Sequence, residues 1–119
     1  MRGEVSTKNK YYLTKHRFYE LYHWCLQYKE WRQEFNSLSS GKMSAERKAS
    51  LRKKIRIIEE TAHENSEELW KYILKSVTDE DASYTYLQMR MNIPCGPDMF
   101  YDRRRRFFWL LDRKLSDNP

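Results

Sequence analysis

A run of four arginines, Arg103 to Arg106, points to a polyanionic partner, because guanidinium groups bind phosphates and guanine edges. Consecutive residues of a helix are about 100° apart, so the four side chains cannot all face one groove. We predict that Arg103 and Arg106 contact nucleic acid, with Arg105 as a phosphate contact on the flank. Arg104 should lie nearer the apolar seam and pair with an acidic residue of the third helix. The alternative is that all four are solvated or in surface ion pairs, each contributing under about 1 kcal/mol.

A second basic cluster falls between residues 36 and 63, where seven basic residues face three acidic ones. The predicted helix here has one apolar stripe and is otherwise basic, and the stripe is Leu51, Ile55, Ile58 and Ala62. We predict that Lys53, Lys54 and Arg47 follow a phosphate backbone. A solvated basic face opposite an apolar stripe is the alternative. The segment 64–82 reverses the sign, with two basic and six acidic residues that can neutralise this face within the fold.

Nothing in the sequence has the spacing of a catalytic or metal site. The soft metal ligands are scattered: His16, His23, Cys25, His63 and Cys95. None shows the close paired spacing of a structural zinc site, and the three glycines are too dispersed for a phosphate-binding loop. The carboxylates at 59–60 and 79–81 lack the apolar shell that acid–base work requires. We therefore predict no enzyme, no cofactor and no metal, and two reduced thiols in a cytoplasmic protein.

Length and composition predict one folded domain. The chain has 119 residues, of which 39% are apolar, 34% are charged and eighteen are aromatic, with a net charge of +6. This many aromatic residues argues against disorder. Apolar periodicity predicts an all-α fold, a compact bundle of four to five helices, with a loose basic arm over 1–12 and a single helical domain over 13–119. No apolar run is long enough for a membrane span.

Caps and turns divide the domain into predicted helices over 14–35, 44–63, 65–77, 83–91 and 97–115, with turn-rich breaks at 36–41 and 92–97. The first helix carries two apolar stripes, the second of them formed by Trp24 and Trp31. The predicted N-caps are Thr14, Ser44, Asn65 or Ser66, and Ser83. Glu67 and Glu68 are expected in the first turn of the third helix. Pro97 is expected at the first position of the last helix, where its missing N–H costs nothing.

The segment 83–115 has the order of a helix-turn-helix: a helix, a tight turn with buried Ile93, and a second helix dense in arginine. The predicted inward seam of the second helix is Phe100, Phe107 or Phe108, Leu111 and Leu115. Five residues remain on or near its outward face: Asp98, Met99, Asp102, Arg103 and Arg106. We place Met99 and Asp102 with the arginines at the predicted nucleic-acid contact.

The run SYTYLQMRMNIPCGPDMFYDRRRRFFWLL resembles the region-4 helix-turn-helix of sigma factors and, more closely, the small phage regulators of the ArpU and RinA groups. In those proteins an Ile-Pro turn precedes a small residue, an aromatic pair and an arginine-rich helix. Here these are Ile93-Pro94, Cys95-Gly96, Phe100-Tyr101 and the arginine run. The resemblance implies a DNA-binding transcription regulator of phage or mobile-element type in a bacterial host. It also implies double-stranded DNA as a partner and a contact with RNA polymerase or another host protein.

Two features leave alternatives open. A lone helix-turn-helix reads only a few base pairs, which favours a homodimer. Asp98 and Asp102 stand at the head of the second helix and repel phosphate, although aspartate can accept a hydrogen bond from cytosine. The second hypothesis is therefore a phage-encoded interaction protein or inhibitor that occupies a host protein's nucleic-acid-binding or acidic groove.

Overall fold

The helical periodicity of the sequence predicts helices, and the computed structural model of the protein consists of helices joined by short turns. Its described residues, 9–37 and 44–117, form six helices and no strand. In chain order these are α1 (Lys15–Cys25), α2 (Tyr28–Ser37), α3 (Ala45–Asn65), α4 (Trp70–Thr78), α5 (Tyr84–Met91) and α6 (Pro97–Asp117). The prediction of a compact all-helical bundle is confirmed, with one more helix than expected. No helix of the described ranges is both long and apolar enough to cross a bilayer.

The predicted first helix is two helices, α1 and α2, which are separated at Leu26 and Gln27. The Gln27 N–H donates to the Trp24 carbonyl over 3.3 Å, a three-residue step that tightens the end of α1. Two apolar stripes give the break its physical reason. α1 packs on α4 and α6, whereas α2 carries the buried Trp31 and packs on α3. One straight helix could not bury both stripes.

α3 is the central helix and packs against α2, α4 and α6. The Ser44 Oγ accepts the Arg47 N–H over 3.1 Å, so the predicted N-cap is confirmed. The predicted apolar stripe is buried at all four positions: Leu51, Ile55, Ile58 and Ala62. Thr14 and Ser83 are likewise confirmed as N-caps of α1 and α5, through the backbone N–H groups of Arg17 and Tyr86.

The start of the third predicted helix is wrong. α4 begins at Trp70, because α3 continues to Asn65 and a turn follows over 67–69. The Ser66 Oγ accepts the Leu69 N–H over 3.1 Å, so Ser66 caps this turn and not α4. Glu67 and Glu68 lie exposed in the same turn, outside α4.

The turn between α5 and α6 follows its local chemistry. Asn92 adopts the left-handed conformation (φ 52°) that commonly ends a helix, and Ile93 is buried behind it. Pro97 is the first residue of α6, as predicted. The seam is confirmed, with Leu115 half-buried and four residues buried: Phe100, Phe107, Phe108 and Leu111.

The predicted N-terminal arm lies only partly within the described residues. Residues 9–11 form a turn, and the Tyr11 ring packs edge-on against Trp109 with centroids 5.7 Å apart. This end of the arm is therefore attached to α6. Residues 1–8 of the arm, and 38–41 of the predicted turn after the first helix, lie outside the described residues.

Candidate nucleic-acid interface

Arg104 lies inside the fold, since it is only 8% exposed. It stands roughly 40° from Phe100 around α6, within the apolar seam. Its Nε donates to the Ser76 hydroxyl of α4 over 2.8 Å. The prediction that Arg104 pairs with an acidic residue of the third predicted helix, which is α4, is therefore wrong. The guanidinium carbon lies 5.2–5.8 Å from the ring centroids of Phe18, Tyr22 and Phe108. Burial lowers the pKa of Arg104, while the nearby Tyr22, Tyr101 and Cys25 oppose that shift.

The Arg106 side chain caps the C-terminal end of α3. Its Nη1 donates to the Asn65 carbonyl over 2.7 Å, and the Asn65 amide donates in return to the Arg103 carbonyl over 2.9 Å. The last carbonyls of a helix lack intrahelical donors, and a cation there also interacts favourably with the helix dipole. Arg106 is therefore half-buried between α6 and α3, which differs from its predicted outward placement.

Arg103 and Arg105 flank Asp102 on α6. The Arg103 Nη1 lies 3.0 Å from the Asp102 carboxylate, and the Arg105 Nη2 lies 3.9 Å from it. The Arg105 Nε is buried without an acceptor among the described residues. Arg103, Arg104 and Arg106 are thus engaged within the protein, whereas the carboxylate contact of the half-buried Arg105 is a loose one. Of the predicted contacts at the head of α6, Met99 is the most open, at 52% exposed.

A different set of cations faces outward, on the middle turns of α3. Arg52, Lys53 and Arg56 are all exposed. They lie roughly 100–200° around the helix from the buried Leu51. Within the described ranges, the nearest carboxylate contact of the three is a loose one, with the Arg56 Nε 3.9 Å from Glu60. We call these three residues the α3 basic face.

A shallow groove of about 270 Å³ borders this face, between α2 and α3. Its lining includes Arg32 and Phe35 of α2, with Arg52, Arg56 and Glu59 of α3. The Arg52 guanidinium lies 5.5 Å from the Phe35 ring centroid, which positions the cation at the rim. We call this cleft the α2–α3 groove.

Glu59 is the acidic residue in the lining of the α2–α3 groove, and its carboxylate already accepts hydrogen bonds from within the protein. It accepts from the Arg32 Nη1 over 2.7 Å and from the Tyr28 hydroxyl. Burial, reinforced by the hydrogen bond to Glu59, raises the pKa of Tyr28 to about 12. The phenol therefore stays protonated and keeps donating to Glu59, which leaves Arg52 and Arg56 to dominate the potential of the groove.

The remaining predicted cations of α3 have different environments. Lys53 belongs to the α3 basic face. Lys54 is half-buried, with its ammonium 5.1 Å from the Trp31 ring centroid. Arg47 makes two hydrogen bonds, of 2.7 and 2.9 Å, to the Glu34 carboxylate of α2. Arg47 is exposed but pairs with α2, and Lys54 packs on it, so of the three predicted residues only Lys53 is both exposed and without such a contact among the described residues.

Sequence reasoning missed Arg32 as a site residue and gave no special place to Arg52 and Arg56. The signal for Arg52 and Arg56 was in the helical geometry, since both stand well away from the apolar stripe. Arg32 carries no such signal, because its approach to α3 depends on the break that separates α2 from α1.

The described residues contain no cluster of three or more histidine, cysteine, aspartate or glutamate side chains that could hold a metal ion. Burial raises the pKa of the Cys25 thiol far above its usual value, against the lowering effect of Arg104. Burial also raises the pKa of Cys95, with Arg103 opposing. Neither thiol has the lowered pKa of an activated nucleophile.

An exposed apolar surface lies on α5 and the start of α6. Its large side chains are unusually open: Tyr86 is 37%, Met89 75% and Met99 52% exposed. Exposed aromatic and methionine side chains are enriched where proteins contact each other. We call these three residues the α5–α6 patch.

Comparisons with known proteins supply no relative that would assign these surfaces. No protein-family model, no curated protein and no solved structure matches this chain.

Proposed function

We propose that the protein binds duplex DNA, chiefly through phosphate contacts from the α3 basic face. One observation carries the proposal: Arg52, Lys53 and Arg56 are exposed together in one arc of α3, beside Arg32 across the α2–α3 groove. Phosphate contacts supply most of the sequence-independent affinity of DNA-binding proteins. The net charge of +6 attracts a polyanion at long range, and the α3 basic face makes the direct phosphate contacts.

The resemblance of 83–115 to phage regulators supplies the class of DNA-binding protein. We propose a transcription regulator of phage or mobile-element type, in which α5 and α6 act as a helix-turn-helix. The engagement of the α6 arginines limits what this unit can read. In this proposal α6 contributes orientation and a short-range contact from its exposed head, while α3 provides most of the affinity.

The test is binding to a random-sequence DNA duplex, measured by fluorescence anisotropy over a range of salt concentrations. The test variant changes Arg52, Lys53 and Arg56 to Ala. A matched control changes Lys15, Lys71 and Arg113 to Ala, which removes the same charge from exposed positions on α1, α4 and the C-terminal end of α6. Each lost phosphate contact reduces the slope of log affinity against log salt by about 0.9, so the test variant should lose about 2.7.

The control variant should keep nearly all of the wild-type slope. Equal losses in the two variants would mean that any positive charge serves, and the α3 basic face would have no special role. Failure of the folded wild-type protein to bind at low salt would remove the DNA proposal altogether.

The α5–α6 patch favours a second candidate, the interaction protein or inhibitor. Its exposed methionines would anchor a protein partner, and Asp98 and Asp102, near Met99 in the first turns of α6, would match a surface of mixed charge. The test is a titration of purified bacterial RNA polymerase with wild-type protein and with the Met89→Ser, Met99→Ser double variant. Binding that the double variant loses, while it keeps its DNA affinity, would support this candidate. Absence of wild-type binding would exclude polymerase as the partner.

A further inference from the structure

A cavity of about 240 Å³ lies where α1, α4, α5 and α6 meet, away from the α3 basic face. Its lining includes Tyr22, Ser76, Glu80, Tyr84, Phe100 and Arg104. Pockets for drug-sized ligands begin at roughly 300 Å³, so this one suits a smaller molecule. The residues come from four helices and the loop between α4 and α5.

Arg104 is the unusual member of this lining. It is nine-tenths buried, and its Nε–Ser76 bond is its one hydrogen bond among the described residues. No carboxylate within 4.0 Å compensates its charge in that part of the chain. Three aromatic rings offset part of the cost, but of the five N–H donors of the guanidinium only the Nε donor has an acceptor among the described residues. Neither Nη atom is among the fully buried atoms that lack a partner, so both border open space. Buried cations without a hydrogen-bonded anion are costly.

We propose that this cavity is a binding site for a small oxyanion, a free phosphate or carboxylate, held by the Arg104 guanidinium. A planar guanidinium binds such groups through two parallel hydrogen bonds. The ligand would supply the charge partner that the fold itself does not place beside Arg104. The site goes beyond DNA binding, because it lies on different residues and takes a different ligand.

Two hydroxyl groups complete the donor set. The Ser76 oxygen accepts from Arg104, so its own proton remains to be donated into the cavity. Tyr22 also lines the cavity, and its hydroxyl has no acceptor among residues 9–37 and 44–117. Burial raises the pKa of Tyr22, against the lowering effect of Arg104, and the phenol therefore remains a donor. The Tyr84 hydroxyl is not available, because it donates to the Cys95 carbonyl over 2.6 Å.

Glu80 is the one carboxylate of the lining, and it is exposed at the mouth of the cavity. A negative charge there opposes an entering anion. Its removal should therefore strengthen anion binding. If the Glu80 carboxylate instead compensated the charge of Arg104, removal of the Glu80 charge would destabilise the protein.

The test uses inorganic phosphate and acetate, each titrated at constant ionic strength against chloride. Binding is followed by the thermal midpoint and by amide chemical shifts of Ser76, Ser83 and Arg104. Wild-type protein should show saturable stabilisation by at least one of the two anions. Tyr22→Phe keeps the ring beside Arg104 and removes one donor, which should weaken binding about five- to tenfold. Arg113→Gln, an exposed arginine of the same helix, should bind as the wild type does.

Three further results decide the proposal. Glu80→Gln should bind the anion more tightly without loss of stability, and Arg104→Met should abolish binding while the protein stays folded. If Arg104→Met does not fold, the loss in Tyr22→Phe carries the same conclusion. The proposal is overturned if neither anion stabilises the wild type beyond chloride, or if Tyr22→Phe binds as the wild type does. It is also overturned if Glu80→Gln destabilises the protein.

Discussion

The α6 arginines and the α3 basic face are both dense in positive charge, but the fold uses them in opposite ways. Arg104 and Arg106 form contacts inside the protein, with α4 and with the end of α3. Arg52 and Arg56 sit on the solvent side of α3, around a groove. The difference teaches that a count of charges in a sequence does not measure how many can reach a partner.

The same chemistry makes arginine suitable for both uses. Its planar group can stack on rings, cap a helix or bind phosphate, and the surroundings select among these. α6 is amphipathic with a wide apolar seam, so a run of four arginines must overlap that seam. The stripe of α3 is narrow, so Arg52 and Arg56 fall outside it.

The largest expected effect is a loss of stability on changing Arg106, an α6 arginine, without a comparable loss of DNA affinity. Arg106→Ala removes a charge-assisted hydrogen bond to the Asn65 carbonyl and should lower the free energy of unfolding by about 1.5–3 kcal/mol. The same change should leave the DNA affinity of the folded protein within about twofold, a shift of about 0.4 kcal/mol. Urea denaturation and anisotropy measure the two quantities. A large loss of affinity without loss of stability would reverse the roles of α6 and α3.

A smaller effect is expected at Asp79, which joins α2 to α4. Its carboxylate lies 2.9 Å from both the Lys29 and the Lys75 ammonium groups, and their hydrogen bonds hold the pKa of Asp79 well below its usual range. A lowered folded-state pKa gives stability that is present above about pH 4 and is lost as the pH falls towards the folded value. Asp79→Asn should therefore cost up to about 1 kcal/mol at neutral pH.

The acid limb of the Asp79→Asn stability profile should also be flatter than that of the wild type. Denaturation at a series of pH values checks both points. Curves that run parallel through the acid range would show that Asp79 does not contribute as described. DNA binding should not change, because Asp79 lies away from the α3 basic face.

The smallest expected effect is at Lys53. Lys53→Ala removes one exposed cation, so the slope of log affinity against log salt should fall by about 0.9. Stability should be unchanged, since Lys53 contacts nothing that the fold requires. Lys54→Ala is the matched comparison, because that side chain is half-buried against Trp31 and should affect stability more than the salt slope. The interpretation fails if the two neighbours behave alike.

Local signals in the sequence predicted much of the fold. Ser44, Ser83 and Pro97 were placed correctly, because a cap or an N-terminal proline depends on a few adjacent residues. The break at Leu26 was missed, since neither glycine nor proline marks it and its cause is packing against two different neighbours. The start of α4 was missed for a similar reason: Ser66 has the chemistry of a helix cap but caps the turn before Leu69.

The candidate site was less predictable than the fold. The closeness of Arg104 to the seam followed from helical spacing, but its Ser76 partner did not. The capping role of Arg106 depends on where α3 ends in space, which no local pattern gives. Exposure of Arg52 and Arg56 could have been inferred from their angle to the apolar stripe. The approach of Arg32 to α3 could not, because it requires the tertiary arrangement of α2.

The most direct measurement is a titration of the isotope-labelled protein with a short DNA duplex, with backbone and arginine Nε signals followed by NMR. If the α3 basic face carries the contact, the largest shifts will fall on residues 52–56 and on Arg32, and those of Arg104 and Arg106 will change little. Shifts concentrated on the head of α6, with α3 unaffected, would contradict this account and restore α6 as the main binding element.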